Sequence, residues 1–171
     1  FQAEHALPHI VTNEFMMNFV WMGGGGTTIG LVICLWLFAR SKNNKAMGSL
    51  SVAPGVFNIN EPVLFGLPVV LNFKLLIPFV LTPMITAVIT YFSMATGLVA
   101  KPAGIVVPWT MPPVISGYLA TGGKISGAVI QLITLALSVG IYYPFVRSMD
   151  KAELRNETDE QQEPMTKDSI A

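Results

Sequence analysis

The stretch Leu75-Leu-Ile-Pro-Phe-Val-Leu-Thr-Pro-Met-Ile-Thr-Ala-Val-Ile-Thr-Tyr-Phe-Ser-Met-Ala-Thr-Gly-Leu-Val-Ala100 contains no charged residue. It is longer than the ~20 residues a helix needs to cross the hydrocarbon core of a bilayer. Two further stretches, Phe15 to Ala39 and Ile125 to Val146, are equally free of charge. One core helix of a soluble protein can be this apolar, but three such runs in a chain of 171 residues point to a membrane protein. The composition points the same way, with 52% hydrophobic and 12% charged residues, whereas a soluble domain carries about 25% charged. The predicted fold is therefore all-α and membrane-embedded, with spans at 15–39, 75–99 and 125–146.

Lys and Arg concentrate in cytoplasmic loops. Arg40, Lys42, Lys45, Lys74, Arg147, Lys151 and Arg155 fall on one side if the spans alternate, leaving Lys101 and Lys124 on the other. That arrangement requires 46–72 to leave from and return to the cytoplasmic face, and 102–123 to do the same from the outer face. Both segments are apolar but broken, the first by Pro54, Gly55, Pro62, Gly66 and Pro68, the second by Pro102, Gly104, Pro108, Pro112, Pro113 and Gly117. Irregular backbone at membrane depth persists only where protein buries it or where it lines a watery cavity. Two opposed re-entrant helical hairpins around a midplane site are thus expected. Residues 1–14 form a loop before the first span, 15–149 the transport region, and 150–171 a polar cytoplasmic tail expected to lose its structure. The sequon Asn156-Glu-Thr158 carries no meaning on such a tail. Beginning at Phe1 and showing no signal peptide, the chain is expected to be a piece of a longer protein.

Glu61, in Asn58-Ile-Asn-Glu-Pro62, is the one acid between Glu14 and Asp150. An ionisable side chain at membrane depth is costly, and such residues face a cavity and carry a role. Pro62 places Glu61 at a backbone break. With Asn58 and Asn60 beside it, the carboxylate can accept charge-assisted hydrogen bonds from neighbouring sugar hydroxyls. The plainer alternative is a carboxylate that caps a half-helix or pairs with Lys74. Trp109, in Val-Pro-Trp-Thr-Met-Pro-Pro, offers an indole face for the C–H face of a pyranose, or else packs or sits in an interfacial belt. His5 and His9 have no third ligand nearby and read as loop or cap residues. Glu14 suits the start of a helix. Gly23 to Gly26 permit close backbone packing or break the helix, and Thr27 and Thr28 can satisfy backbone groups freed there. Cys34, the lone cysteine, sits in an apolar helix pattern and excludes an internal disulfide or a CxxC site. Zero net charge gives no sign of a nucleic-acid partner. No nucleophile–base pair, phosphate loop or metal set is visible, so no cofactor and no catalytic nucleophile are assigned.

Val56-Phe-Asn-Ile-Asn-Glu-Pro-Val-Leu-Phe-Gly-Leu-Pro-Val-Val-Leu-Asn72 resembles the signature of the enzyme IIC permeases of the bacterial phosphoenolpyruvate-dependent sugar phosphotransferase system, lactose/cellobiose family. Val107 to Gly123 and Pro8 to Phe15 are similar to two further blocks of that family, the former closer to its cellobiose or chitobiose branch. The resemblance covers the chain up to its tail. It implies a homodimeric, multi-pass permease of the bacterial inner membrane with two opposed re-entrant hairpins around a disaccharide. Glu61 would then hydrogen-bond the sugar near the hydroxyl that receives phosphate, and Trp109 would stack on it. Phosphate would come from a cysteine of the separate IIB protein, itself charged by IIA. Cys34 lacks the context of that phosphocarrier. The family's other polar site residue, a histidine in a Gly-Ile-His-Gly-like segment, has no counterpart in His5 or His9, and the site is expected to be incomplete. Two alternatives stay open: an ion-coupled secondary sugar carrier, with Glu61 carrying a proton or binding sodium, and an inactive truncated fragment.

Overall fold

The computed structural model describes residues 9–69 and 71–167, with side chains through residue 159. His5 lies outside the described residues. In chain order the elements are α1 (Asn13–Phe15), which runs directly into a π-helical segment (Met16–Val20), then α2 (Ile29–Phe38), α3 (Lys42–Val56), α4 (Glu61–Gly66), α5 (Phe73–Ala95), α6 (Ile115–Ala120) and α7 (Ile125–Lys167). Among the described residues every regular element is helical, as expected.

Of these, α5 and α7 are long and apolar enough to cross a membrane. In their most apolar windows only 28% and 33% of the residues are buried. A soluble protein would bury most of such a helix. Here the outward side of α5 is Ile77, Val80, Met84, Val88 and Phe92, all exposed, a surface suited to hydrocarbon. Local signals set the ends of α5. The Asn72 side chain accepts from the Lys74 N–H at 3.1 Å, and Gly97 at φ 78° adopts the left-handed turn that ends helices. α2 packs against α3 and α7, while α5 and α6 both lie on α7.

The predicted span at 15–39 is not one helix. The chain leaves the helix at Trp21 and resumes at Ile29, because Gly23, Gly24 and Gly26 all take positive φ. At Gly26 a side chain would run into the Phe79 ring. The backbone groups this break releases find partners. Thr27 Oγ1 donates to the Val20 carbonyl at 2.7 Å, Thr28 Oγ1 donates to the Gly23 carbonyl, and from α7 Ser138 and Tyr142 donate to the carbonyls of Thr27 and Gly26 at 3.1 and 2.7 Å. Such recovery is what non-helical backbone inside a membrane protein needs.

The segment 46–72 has two helical arms, α3 and α4, joined by a turn at 57–60 in which Asn58 takes φ 62°. Pro62 sits in the first turn of α4, where its missing N–H costs nothing. The segment 102–123 differs from expectation. It has one helical arm, α6, since Pro102, Pro108, Pro112 and Pro113 keep the chain before it out of helix.

The tail was expected to lose its structure, yet α7 continues through it to Lys167. The reason is a contact remote in sequence. Asp150 Oδ2 accepts from the Arg40 N–H at 2.8 Å, and its Oδ1 accepts from the Ser41 N–H and from Asn44 Nδ2, both at 3.0 Å. One and two turns on, Glu153 accepts from Asn43 Nδ2 and Glu157 from the N–H groups of Lys42 and Asn43. One acidic face of α7 thus covers the start of α3, where orphan N–H groups and the helix dipole favour negative charge. Burial alone would push the Asp150 carboxyl up, but the hydrogen bonds from Asn44, Arg40 and Ser41 outweigh it and hold it below its ordinary value of 3.8. Its contribution is complete above that value and is lost as pH falls through the lower, folded one. Asp150→Ala is expected to weaken this docking by about 1–3 kcal/mol. Hydrogen exchange would then speed up over residues 151–159 at neutral pH, and unchanged exchange would refute the account.

Candidate functional site

Two apolar cores lie toward opposite ends of the long helices. One gathers Leu35, Leu75, Tyr142 and Val146; the other gathers Phe19, Met94, Val107 and Ile130. Between them the buried side chains are polar: Thr82 and Thr86 on α5, and Gln131, Thr134 and Ser138 on α7. The broken segments converge on this middle level.

A cleft of about 390 Å³ opens there. Glu61 and Asn60 from the head of α4, Asn58 from the preceding turn, and Trp109 line it. Trp21, Met17, Gly24 and Gly25 complete the lining. The four residues singled out in the sequence are therefore neighbours in space. Glu61 is exposed on the cleft wall, and among the described residues no hydrogen bond or ion pair ties its carboxylate, to Lys74 or otherwise. Trp109 is 56% exposed, which leaves an indole face open.

Asn58 holds the cleft together. Its Oδ1 accepts from the Gly23 N–H at 2.6 Å, while its Nδ2 donates to the carbonyls of Trp109 at 2.6 Å and Met111 at 3.0 Å. One amide therefore joins the glycine loop, the turn before Glu61 and the Trp109 segment. Asn60 makes a parallel tie, donating to the Gly25 carbonyl at 3.0 Å. Gly24 permits it, since at φ 92° its missing Cβ would lie 2.6 Å from the Asn60 side chain.

Sequence reasoning did not single out Trp21 or Met17, and it read Gly23 to Gly26 chiefly as a packing device. The glycine run was the available signal that this span opens onto a cavity. His9 lines a separate cavity with Tyr91 and Lys101. Glu14 lies in the first turn of α1, and its carbonyl accepts from Asn18 Nδ2. Cys34 is buried against α7, its thiol 3.3 Å from the Val139 carbonyl. Among the described residues no three His, Cys, Asp or Glu side chains are grouped to hold a metal.

Residues 1–83 match the family described as phosphotransferase system, EIIC. The lichenan permease IIC component of Bacillus subtilis (strain 168) is 57% identical over 159 residues, which is 93% of this chain and 35% of that protein. The chain belongs to the phosphotransferase system EIIC family. As a member of the EIIC family it is a membrane protein, in keeping with α5 and α7. The cellobiose-specific EIIC component of Geobacillus stearothermophilus is 49% identical over 88% of this chain and 34% of its own length. The crystal structure of the transporter ChbC, the IIC component of the N,N'-diacetylchitobiose-specific phosphotransferase system, superposes with a TM-score of 0.88 at 47% identity, over 91% of this chain and 36% of that one. The chain spans about a third of the length of the EIIC relatives it matches.

Proposed function

We propose that this chain carries the sugar-binding cleft of a phosphoenolpyruvate-dependent permease that brings a cellobiose- or chitobiose-like disaccharide inward for phosphorylation by a IIB partner charged by IIA. The observation behind this reading is the presence of an untied carboxylate, Glu61, and an open indole, Trp109, in one cleft between broken helices. The relatives named above supply the substrate class. Glu61 accepts hydrogen bonds from adjacent sugar hydroxyls, and Trp109 stacks on the apolar sugar face. Asn60 offers its remaining amide hydrogen. Asn58 acts through the carbonyls it holds in place and through the second lone pair of its Oδ1.

The topology that fits has α5 and α7 crossing the bilayer, with the chain from Met16 to Phe38 as a third, interrupted passage. The α3–α4 turn then enters from the cytoplasmic face and the 102–123 segment from the outer face. Their tips meet where Asn58 reaches Trp109 and Met111. The C-terminus is cytoplasmic in a bacterial inner membrane, and the functional unit is a homodimer.

Uptake of labelled cellobiose into membrane vesicles by the protein containing this chain tests the proposal. Uptake is expected to require phosphoenolpyruvate and the IIA and IIB proteins, and to deliver sugar phosphate. Transport that proceeds without phosphoenolpyruvate and collapses on adding an uncoupler would establish an ion-coupled carrier instead.

A further inference from the structure

Another cavity, of about 310 Å³, lies far from the sugar cleft, where the apolar run of α7 ends at Val146. Its walls carry three cations: Arg40 just beyond α2, and Arg147 and Lys151 one turn apart on α7. All three side chains are exposed. Arg147 is held in place by Tyr143, donating to the phenol oxygen at 2.6 Å while its guanidinium lies 5.9 Å from the ring centroid. Tyr143 in turn meets the edge of Phe38 at 5.1 Å.

The one carboxylate on these walls, Asp150, is already committed to the N–H groups of Arg40 and Ser41 and to the Asn44 amide. Among the described residues none of the three cations has an ion-pair partner. The cavity therefore keeps an excess of positive charge. It is also rimmed by exposed apolar side chains, with Leu37 56% and Phe38 49% accessible. Cations facing a cavity, with bare hydrocarbon side chains beside them, match an amphiphile with an anionic head. A fully water-soluble anion would gain nothing from Leu37 and Phe38.

We infer that the Arg40–Arg147–Lys151 cavity binds the phosphate head group of an anionic glycerophospholipid, with its acyl chains running along Leu37 and Phe38. Basic pockets between helices on the cytoplasmic side are where anionic head groups are held, and the proposed orientation puts this cavity there. The inference rests on that orientation but not on sugar binding, which is measured separately below.

The test is native mass spectrometry of the detergent-purified protein after equilibration with equal amounts of phosphatidylglycerol and phosphatidylcholine. Phosphatidylglycerol adducts are expected to dominate. Arg147→Gln/Lys151→Gln should cut them at least about fivefold, while cellobiose affinity stays the same and shows the fold intact. Lys42→Gln/Lys45→Gln, which removes two nearby cations outside the cavity, should leave the preference in place. Equal adducts of the two lipids on the unaltered protein overturn the proposal, as does an equal loss in both double variants. Inorganic phosphate is the separating arm. If it raises the unfolding temperature as phosphatidylglycerol does and displaces the lipid, the cavity is a site for free anions and the lipid assignment falls.

Discussion

Glu61→Gln is expected to weaken disaccharide binding by about 10- to 100-fold, the loss of a single hydrogen bond to a charged acceptor. The substitution keeps the size of the side chain and its place at the head of α4, but removes the charge. Since none of the hydrogen bonds among the described residues uses the carboxylate, the fold should not change. Isothermal titration with cellobiose on the purified protein reads the affinity, and an unchanged unfolding temperature shows that the loss is local. Trp109→Ala should cost less, about 3- to 10-fold, because stacking on an aromatic face is worth about 0.5–1.5 kcal/mol. Unaltered affinity in Glu61→Gln would remove Glu61 from the site and with it the main support for a sugar cleft here.

Gln131→Leu should produce the largest loss of stability. Gln131 is fully buried on α7, and its whole side-chain amide is in use. Oε1 accepts from the N–H groups of Val114 at 2.6 Å and Gly117 at 2.9 Å. Nε2 donates to Ser116 Oγ at 2.9 Å and to the Asn18 carbonyl. Val114 is held at φ 75°, an expensive conformation for a β-branched residue. Leucine has nearly the same volume but leaves the buried Gly117 N–H and the partly buried Val114 N–H without partners. At about 1–3 kcal/mol for each, the loss is a large fraction of the 5–15 kcal/mol that typically separates folded from unfolded. A pronounced fall in the midpoint of thermal or denaturant unfolding is expected, together with weaker sugar binding, because α6 anchors the segment that carries Trp109. A midpoint that does not move would show that Gln131 is not the anchor.

What the sequence reveals follows from how far each cause acts. The membrane class is legible in 75–100 and 125–146, because an absence of charge over such a length needs no knowledge of neighbours. Glu61 is legible for the same reason, as one acid in an apolar region. Gln131, the one amide within 125–146, stands out on the same ground. The break at Gly23 to Gly26 was ambiguous, since such a glycine run also suits close helix packing. What decides it is the set of hydroxyls on α7 that receives the released carbonyls. The continued helix after Asp150 could not be read locally, since its acidic composition favours disorder until the start of α3 is placed against it. The bridging role of Asn58 is equally remote, joining residues 23, 58 and 109 through one side chain.

The length of α7 has a mechanical consequence. From Ile125 to Asp159 it runs 35 residues without interruption, about 52 Å at 1.5 Å per residue. In the proposed topology the hydrocarbon core takes up only about 30 Å of that. The remainder would then be a stiff rod beyond the hydrocarbon, latched to the start of α3 through Asp150, Glu153 and Glu157. Any tilt of its apolar part is magnified at the far end and pulls on α3, whose other end leads through the 57–60 turn to Glu61 at the head of α4. A spin label placed near Arg155 would act as the long hand of a clock, turning ångström-scale movement around the sugar into a displacement large enough to measure.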